Sequence, residues 1–316
     1  MLSKAEVQEI QIIKLDFHFR GNDIKPNMIK TIDPTTIPQP ELYTILSTAV
    51  APRPICFAST VDAEGNVNLS PYSFFNVFSS NPPVMVFSPT RSGRDNSLKH
   101  THQNVIEVPQ VVINVVNHKM AEQMSLSSTA YDKGVNEFVK AGFTEVPSVK
   151  VKPPRVGEAP VSFECTVLEV VEIAQTPGAG NLIIAQVDMI HINDEYVTND
   201  VLDTEKLDLV GRMGGNWYIR SIKESLFEIP KPIRSQGIGV DALPKGIRES
   251  DVLTGNNLGR LGNLEQLPTT EAIKTVIEVD GVQNKSKIEL HTLAKQLLEE
   301  GATEKAMAYL LFAEGL

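Results

Sequence analysis

Between residues 53 and 69 apolar side chains (Ile55, Phe57, Val61, then Val67 and Leu69) alternate with smaller or polar ones. A period of two is the signature of a strand with one face buried. The intervening Asp62-Ala63-Glu64-Gly65-Asn66 supplies turn residues, so this stretch predicts a β-hairpin. Further strands are expected near 83–88, 110–116, 161–173, 181–192 and 217–219, with Pro177-Gly178-Ala179-Gly180 as a hairpin turn between the two longest. The spacing changes to that of a helix at Leu42, Ile45, Leu46 and Ala49, and again over 119–127, where Met120 and Met124 stand one turn apart. Residues 92–104 are polar and read as partly helical, with Asp95 or Asn96 as the cap.

Strands joined partly by short helices, without a regular strand-helix-strand alternation, point to a mainly β domain closed as a barrel or stacked as a sandwich. We place that domain at 40–222, after a peripheral, charged and proline-containing segment at 1–39. From about Ser221 the pattern changes. Ile229-Pro230-Lys231-Pro232, Gly237-Ile238-Gly239 and Ala242-Leu243-Pro244 have the bends to cross a surface without forming a core, and helices are expected at 270–279, 288–300 and 303–312. The stripe Leu290, Leu293, Ala294 and Leu297 gives the third segment, 223–316, an apolar face to pack on the barrel or on a dimer partner.

Composition narrows the function. A chain of 316 residues needs no disulfide staples, and Cys56 and Cys165 lie far apart inside expected strands, as buried free thiols would. The formal charge of −10 is spread along the chain, which disfavours nucleic-acid binding. No run approaches the roughly 20 apolar residues of a membrane span, and the amino terminus has no apolar core of a signal peptide, so a cytoplasmic protein is expected. The six histidines form no metal motif, and no nucleophile elbow, P-loop or dinucleotide fingerprint is found. We therefore expect no metal and no protein nucleophile or base.

Ser70-Pro71-Tyr72-Ser73-Phe74-Phe75-Asn76 crowds hydroxyls and aromatic rings at a proline bend, a combination that suits a planar ligand with a polar edge. Arg53 stands between two prolines, which restrict its backbone. Arg91, Arg94 and Lys99, with Ser88, Ser92 and Thr101, gather positive charge and hydroxyls in an acidic chain, as a phosphate would require. Gly211-Arg212-Met213-Gly214-Gly215, ahead of Trp217-Tyr218, offers a backbone of little bulk beside a cation and two rings.

In this order Arg53-Pro54, Ser59-Thr60, Asn68 through Asn76, Ser79-Ser80-Asn81-Pro82-Pro83, the Asn114 strand and Gly211–Gly215 with Tyr218 resemble the flavin reductase-like family, whose domains are FMN-binding split β-barrels. The resemblance implies a homodimer that binds FMN near the subunit interface and passes hydride from NADH or NADPH to flavin, with FAD or riboflavin as other substrates. It implies partners such as a monooxygenase or an electron-transfer protein. The residues it nominates for the flavin are Arg53, Ser59, Thr60, Asn68, Leu69, Ser70, Tyr72, Ser73, Phe74, Ser88, Arg91, Arg94, Lys99, Arg212 and Tyr218. Two other readings stay open: a flavoredoxin-like carrier with tightly held FMN, and a non-enzymatic flavin-binding protein.

Overall fold

The computed structural model describes residues 29–229 and 236–316, so the expectations for residues 1–28 and for Pro230-Lys231-Pro232 lie outside the described residues. The chain divides into two compact units, residues 31–227 and a second made chiefly of residues 228–316.

The first unit opens with helix α1 (Gln39–Ala49), started by Pro40, whose fixed φ suits a first turn. Strands β1 (Arg53–Pro54), β2 (Cys56–Val61), β3 (Val67–Tyr72), β4 (Phe75–Ser80) and β5 (Pro83–Phe87) follow, then α2 (His100–Glu107) and β6 (Gln110–Val115). After α3 (Ala121–Ser127) and α4 (Glu137–Ala141) come the short β7 (Glu145–Val146) and β8 (Arg155–Val156) and the long hairpin of β9 (Val161–Glu172) and β10 (Asn181–Ile192). A small pair, β11 (Val197–Thr198) and β12 (Val201–Leu202), then α5 (Thr204–Leu207), β13 (Val210–Arg212) and β14 (Tyr218–Arg220) complete it.

Seven of these strands form one sheet in the order β3-β2-β6-β9-β10-β5-β4, while β1, β13 and β14 form a separate three-stranded sheet. The two outermost strands of the large sheet, β3 and β4, are joined by Ser73 and Phe74 alone, so the sheet must curl until its edges approach at that corner. Its inner face buries Cys56, Ala58, Met85, Phe87, Val111, Ile113, Cys165, Ile183 and Ala185, with Val105 of α2 packed among them. The opposite face of β2 and β3 presents Phe57 and Leu69 to a second cluster built with Met120, Met124 and Phe138 from the α3 and α4 region. A buried leucine or phenylalanine contributes about 1.5–3 kcal/mol, so these two clusters fix the strand register that positions the site.

Strand β4 was not expected from the sequence. Val77 and Phe78 are adjacent yet both exposed, at 56% and 69%, and a register shift falls between Val77 and Ser79. An edge strand with a bulge and no buried face shows no alternation.

The second unit holds α6 (Lys245–Arg248), α7 (Gly255–Gly262), α8 (Thr270–Asp280), α9 (Lys287–Glu299) and α10 (Thr303–Ala313). Thr269 caps α8, and Ser286 with Glu289 forms a capping box on α9. Leu243, Ile247, Leu261, Ile273, Ile277, Leu290, Leu298, Met307 and Leu310 pack into one core. The 237–244 stretch, expected to lack a core, therefore contributes Leu243 to one. Gly255–Gly262 is a helix held by reciprocal Thr254 and Asn257 hydrogen bonds, a pattern its three glycines hid.

Candidate functional site

The nominated residues fall into three groups. In the first, register pairs Thr60 with Asn68, Ala58 with Ser70 and Cys56 with Tyr72, which puts these six side chains on the barrel's inner face. There α2 meets them. Asn68 Nδ2 donates to Thr101 Oγ1 at 2.9 Å, the Tyr72 hydroxyl donates to the same oxygen at 2.8 Å, and Asn104 Nδ2 donates to Thr60 Oγ1 at 3.1 Å. Burial pushes the Tyr72 phenol well above its ordinary pKa, so it is a neutral donor. The Leu69 amide donates to Glu137 Oε2 at 2.9 Å. These contacts tie β2 and β3 to α2 and α4, and they occupy groups that the resemblance nominated for ligand. Ser59 Oγ differs, being buried with no partner.

The second group surrounds the corner between β3 and β4. The Ser88 amide donates to the Phe74 carbonyl at 2.9 Å, which joins the corner to the loop that leaves β5. That loop is braced against the β9–β10 turn: the Arg91 amide donates to the Ala179 carbonyl at 2.8 Å, Asn96 Nδ2 to the Gln175 carbonyl at 3.0 Å, and Asn181 Nδ2 to the Pro89 carbonyl at 2.9 Å. Asn96 adopts φ 61°, a left-handed conformation that asparagine tolerates. Hydroxyls of Ser92 and Ser97 hold Asp95 down to about 2, so it is ionised and shapes the loop. Around this frame Arg91 Nε, Asn96 Oδ1 and Asn181 Oδ1 are buried and unpartnered. Buried polar groups are ordinarily satisfied, and three orphans in one loop system mark a place built to meet something else. Neither Arg91 nor Arg94 nor Lys99 has a carboxylate partner among the described residues.

The third group crosses the small sheet. Arg53 pairs with Arg212 in register, and Arg212 with Tyr218, so two cations and a ring stand in one row. The Arg212 guanidinium lies 4.5 Å from the centre of the Tyr218 ring, and that of Arg53 lies 5.7 Å from the Phe74 ring. Phe74 is 38% exposed and meets the half-exposed Tyr43 of α1 edge to face, with centroids 6.4 Å apart. The Arg53 side chain also donates to Ser73 Oγ. The corner Ser73–Phe74 thus links the arginine row to the basic loop.

Sequence reasoning missed Tyr43 and Asn181 as parts of these groups; it assigned Thr101 to a phosphate, whereas its hydroxyl is taken up by Asn68 and Tyr72, and it read Asn96 as a helix cap, whereas α2 begins only at His100 after Lys99. Asn181 immediately follows the Pro177–Gly180 turn, a position that could have flagged it; Tyr43 lay inside a helical stripe and gave no signal. A groove of about 560 Å³ lies between α8 and α10, lined by Leu267, Val276, Val279 and Ala308 among others. It belongs to the helical unit and contains none of the nominated residues. Among the described residues no three His, Cys, Asp or Glu side chains gather as a metal site needs, and no helix is long and apolar enough to cross a membrane.

The requirements of a flavin nucleotide fit this arrangement. A loop whose cations Arg91 and Arg94 lack carboxylate partners among the described residues, with the orphaned donor Arg91 Nε, suits the phosphate, and an exposed aromatic pair beside it suits a flat ring. Comparison with known proteins agrees. Residues 48–206 match the flavin reductase like domain, and the chain belongs to the flavin reductase-like family. An uncharacterized protein of Aquifex aeolicus is 34% identical over 189 residues, which cover 60% of this chain and 94% of the relative. Component B of nitrilotriacetate monooxygenase from Bacillus cereus superposes with a TM-score of 0.60 at 25% identity, covering 64% of this chain and all of that one. A split-barrel-domain protein from Shewanella frigidimarina superposes at 0.53 with 24% identity, covering 62% and 95%. The fold is a split β-barrel with short helices, and the protein is a flavin-related oxidoreductase by family.

Proposed function

We propose that the protein binds FMN and reduces it with NADH or NADPH, as a cytoplasmic homodimer. The observation that carries this reading is the loop from Ser88 to Lys99, with its cations free of carboxylate partners among the described residues and Arg91 Nε buried and unpartnered, joined through the Ser88 amide to the corner that carries the exposed Phe74–Tyr43 pair. Arg91 and Arg94 would hold the phosphate, with Ser88 and the loop hydroxyls. Phe74 and Ser73 would border the ring, and Arg212 on Tyr218 would supply a further cation. Asn68, Ser70, Tyr72, Thr60 and Leu69 would act from behind, as the frame that keeps the corner in place. The flavin, when bound, supplies the hydride-accepting chemistry, and the chain binds, orients and shields it.

The dimer is supported by apolar surface left open on the barrel: Val77 and Phe78 on the edge strand β4, and Ile190 and Ile192 on β10. Similarity to a monooxygenase component supports delivery of reduced flavin to a partner oxygenase. The test is the visible spectrum of the purified protein, an FMN titration, and NADH and NADPH oxidation on the same sample. Saturable FMN binding with nicotinamide oxidation supports the reading. Binding without oxidation would replace it with the electron-carrier or binding-protein alternative, and failure to bind any flavin would refute it.

A further inference from the structure

Helix α1 lies against the β9–β10 turn that braces the basic loop, the Phe74 corner and the Gly211–Tyr218 turn. At its first residue the Gln39 side chain fills the space beside Gly178, where a Cβ would stand 2.5 Å from Gln39 Nε2, and it also lies 4.0 Å from the corresponding position at Gly93 of the basic loop. At midpoint Tyr43 meets Phe74. In the last turn the carbonyls of Ser47 and Val50 accept from Arg53 Nη1, the latter at 2.9 Å, and Thr48 fills the space beside Gly214. Eleven residues make a helix about 16 Å long. It therefore reaches from the Arg91 loop to the Gly211–Tyr218 turn.

What holds this helix is unusual. Ser47 is its one buried residue, while Tyr43, Ile45 and Leu46 are exposed, so an apolar face does not anchor it. Its ends do. Arg53 is 7% exposed, and of its five donors four are spent on the chain itself: two on the last turn of α1, one on the Met213 carbonyl at 3.4 Å and one on Ser73 Oγ at 3.4 Å. A cation near the C-terminal carbonyls of a helix is also favoured by the helix dipole. A guanidinium so committed has little left for a flavin.

We infer that α1 is a strap held across the candidate flavin site, and that Arg53 acts on the bound ligand through this helix and not by contact. The inference rests on the proposed flavin site for its functional half, and on the geometry of α1 alone for its structural half. Lysine at 53 would keep the charge but lose the planar fork that reaches Ser73, Met213 and α1 together. A contact residue would tolerate that change far better than a clamp.

The experiment compares the full-length chain with its Arg53→Lys, Arg53→Gln and Gln39→Ala variants in three readouts. These are amide hydrogen exchange over 39–50 without flavin, the FMN dissociation rate in stopped flow, and the potential of bound FMN. Both Arg53 variants should speed exchange in α1 and FMN dissociation by about tenfold, the effect of losing one or two hydrogen bonds, with exchange in β6 and β9 and the flavin potential unchanged. Gln39→Ala, an exposed change at the opposite end, should act the same way by about threefold, the weaker effect of losing side-chain contact alone. Wild-type dissociation in Arg53→Lys beside loss of binding or a lowered potential in Arg53→Gln would overturn the inference. So would unchanged exchange in α1, for which Gln39→Ala decides if the Arg53 variants do not fold. If the wild-type chain binds no FMN, the functional reading fails by itself and the exchange measurement still decides whether Arg53 pins the helix.

Discussion

Thr101→Val separates the two roles open to Asn68 and Tyr72. Thr101 is fully buried, and its Oγ1 accepts from Asn68 Nδ2 at 2.9 Å and from the Tyr72 hydroxyl at 2.8 Å. Valine keeps the volume and removes the shared acceptor, which leaves two donors stranded between α2 and β3. An unsatisfied buried donor costs about 1–3 kcal/mol, so the pair should cost about 3 kcal/mol once the side chains relax. In a unit of roughly 200 residues each kcal/mol moves Tm by about 2–4 °C, which gives a fall of about 6–12 °C. The assay is calorimetry of the full chain, with hydrogen exchange in β2 and β3 to assign the transition, because the helical unit has its own core and can melt separately. FMN affinity should fall by less than threefold, since the frame sits behind the corner. A Tm change below about 2 °C, the equivalent of under 1 kcal/mol, together with a large loss of FMN affinity, would refute the reasoning and return Asn68 and Tyr72 to the ligand.

Three further outcomes follow from buried chemistry elsewhere. Glu164 is fully buried and accepts from the amides of Val149 at 2.8 Å, Lys150 at 2.5 Å and Val151 at 3.2 Å and from His191 Nε2 at 2.6 Å; burial pushes its pKa up, but the Val149 and Lys150 amides and His191 together hold it below the ordinary 4.5. Glu164→Gln should cost about 3 kcal/mol at pH 7. The depressed folded value means that the stabilisation is present above pH 4.5 and fades as pH falls through the folded value, so denaturant midpoints of the two proteins should converge in acid and a constant gap would contradict this. Gly237→Ala would set a Cβ 2.4 Å from the Gly262 carbonyl oxygen, a backbone atom that cannot swing away. Overpacking of this kind costs about 1–3 kcal/mol, and helical circular dichroism should melt earlier while the barrel transition stays put. Burial pushes both thiols, Cys56 and Cys165, well above the ordinary cysteine value, so a thiol reagent should label them only at the rate of unfolding; fast labelling in native buffer would show the barrel interior to be open.

The readings that succeeded are those in which burial imposes a period on the sequence. Phe57 and Leu69 alternate because one face of β2 and β3 meets the α3–α4 cluster, and the long β9–β10 hairpin is visible for the same reason on the inner face. Strand β4 was invisible because its neighbours Val77 and Phe78 both face outward, and α7 because its glycines suppress any propensity signal. Arg91, Arg94 and Lys99 stand out in an acidic chain, but their stretch, read as partly helical with Asp95 or Asn96 as the cap, is a loop, and helix α2 begins only at His100. Arg53 was legible only by half. An arginine between prolines looks the same whether its guanidinium meets a ligand or four acceptors of its own chain, and the partners, Ser47, Val50, Ser73 and Met213, are as much as 160 residues away. The stripe Leu42, Ile45, Leu46 and Ala49 gave the helix but not its facing. It fits a helix, and a helix is there, but Ile45 and Leu46 face outward and Ser47 is the residue that the barrel buries. Periodicity reports that a face is apolar without saying what will cover it, and for α1 the answer lies in the bonds at its ends.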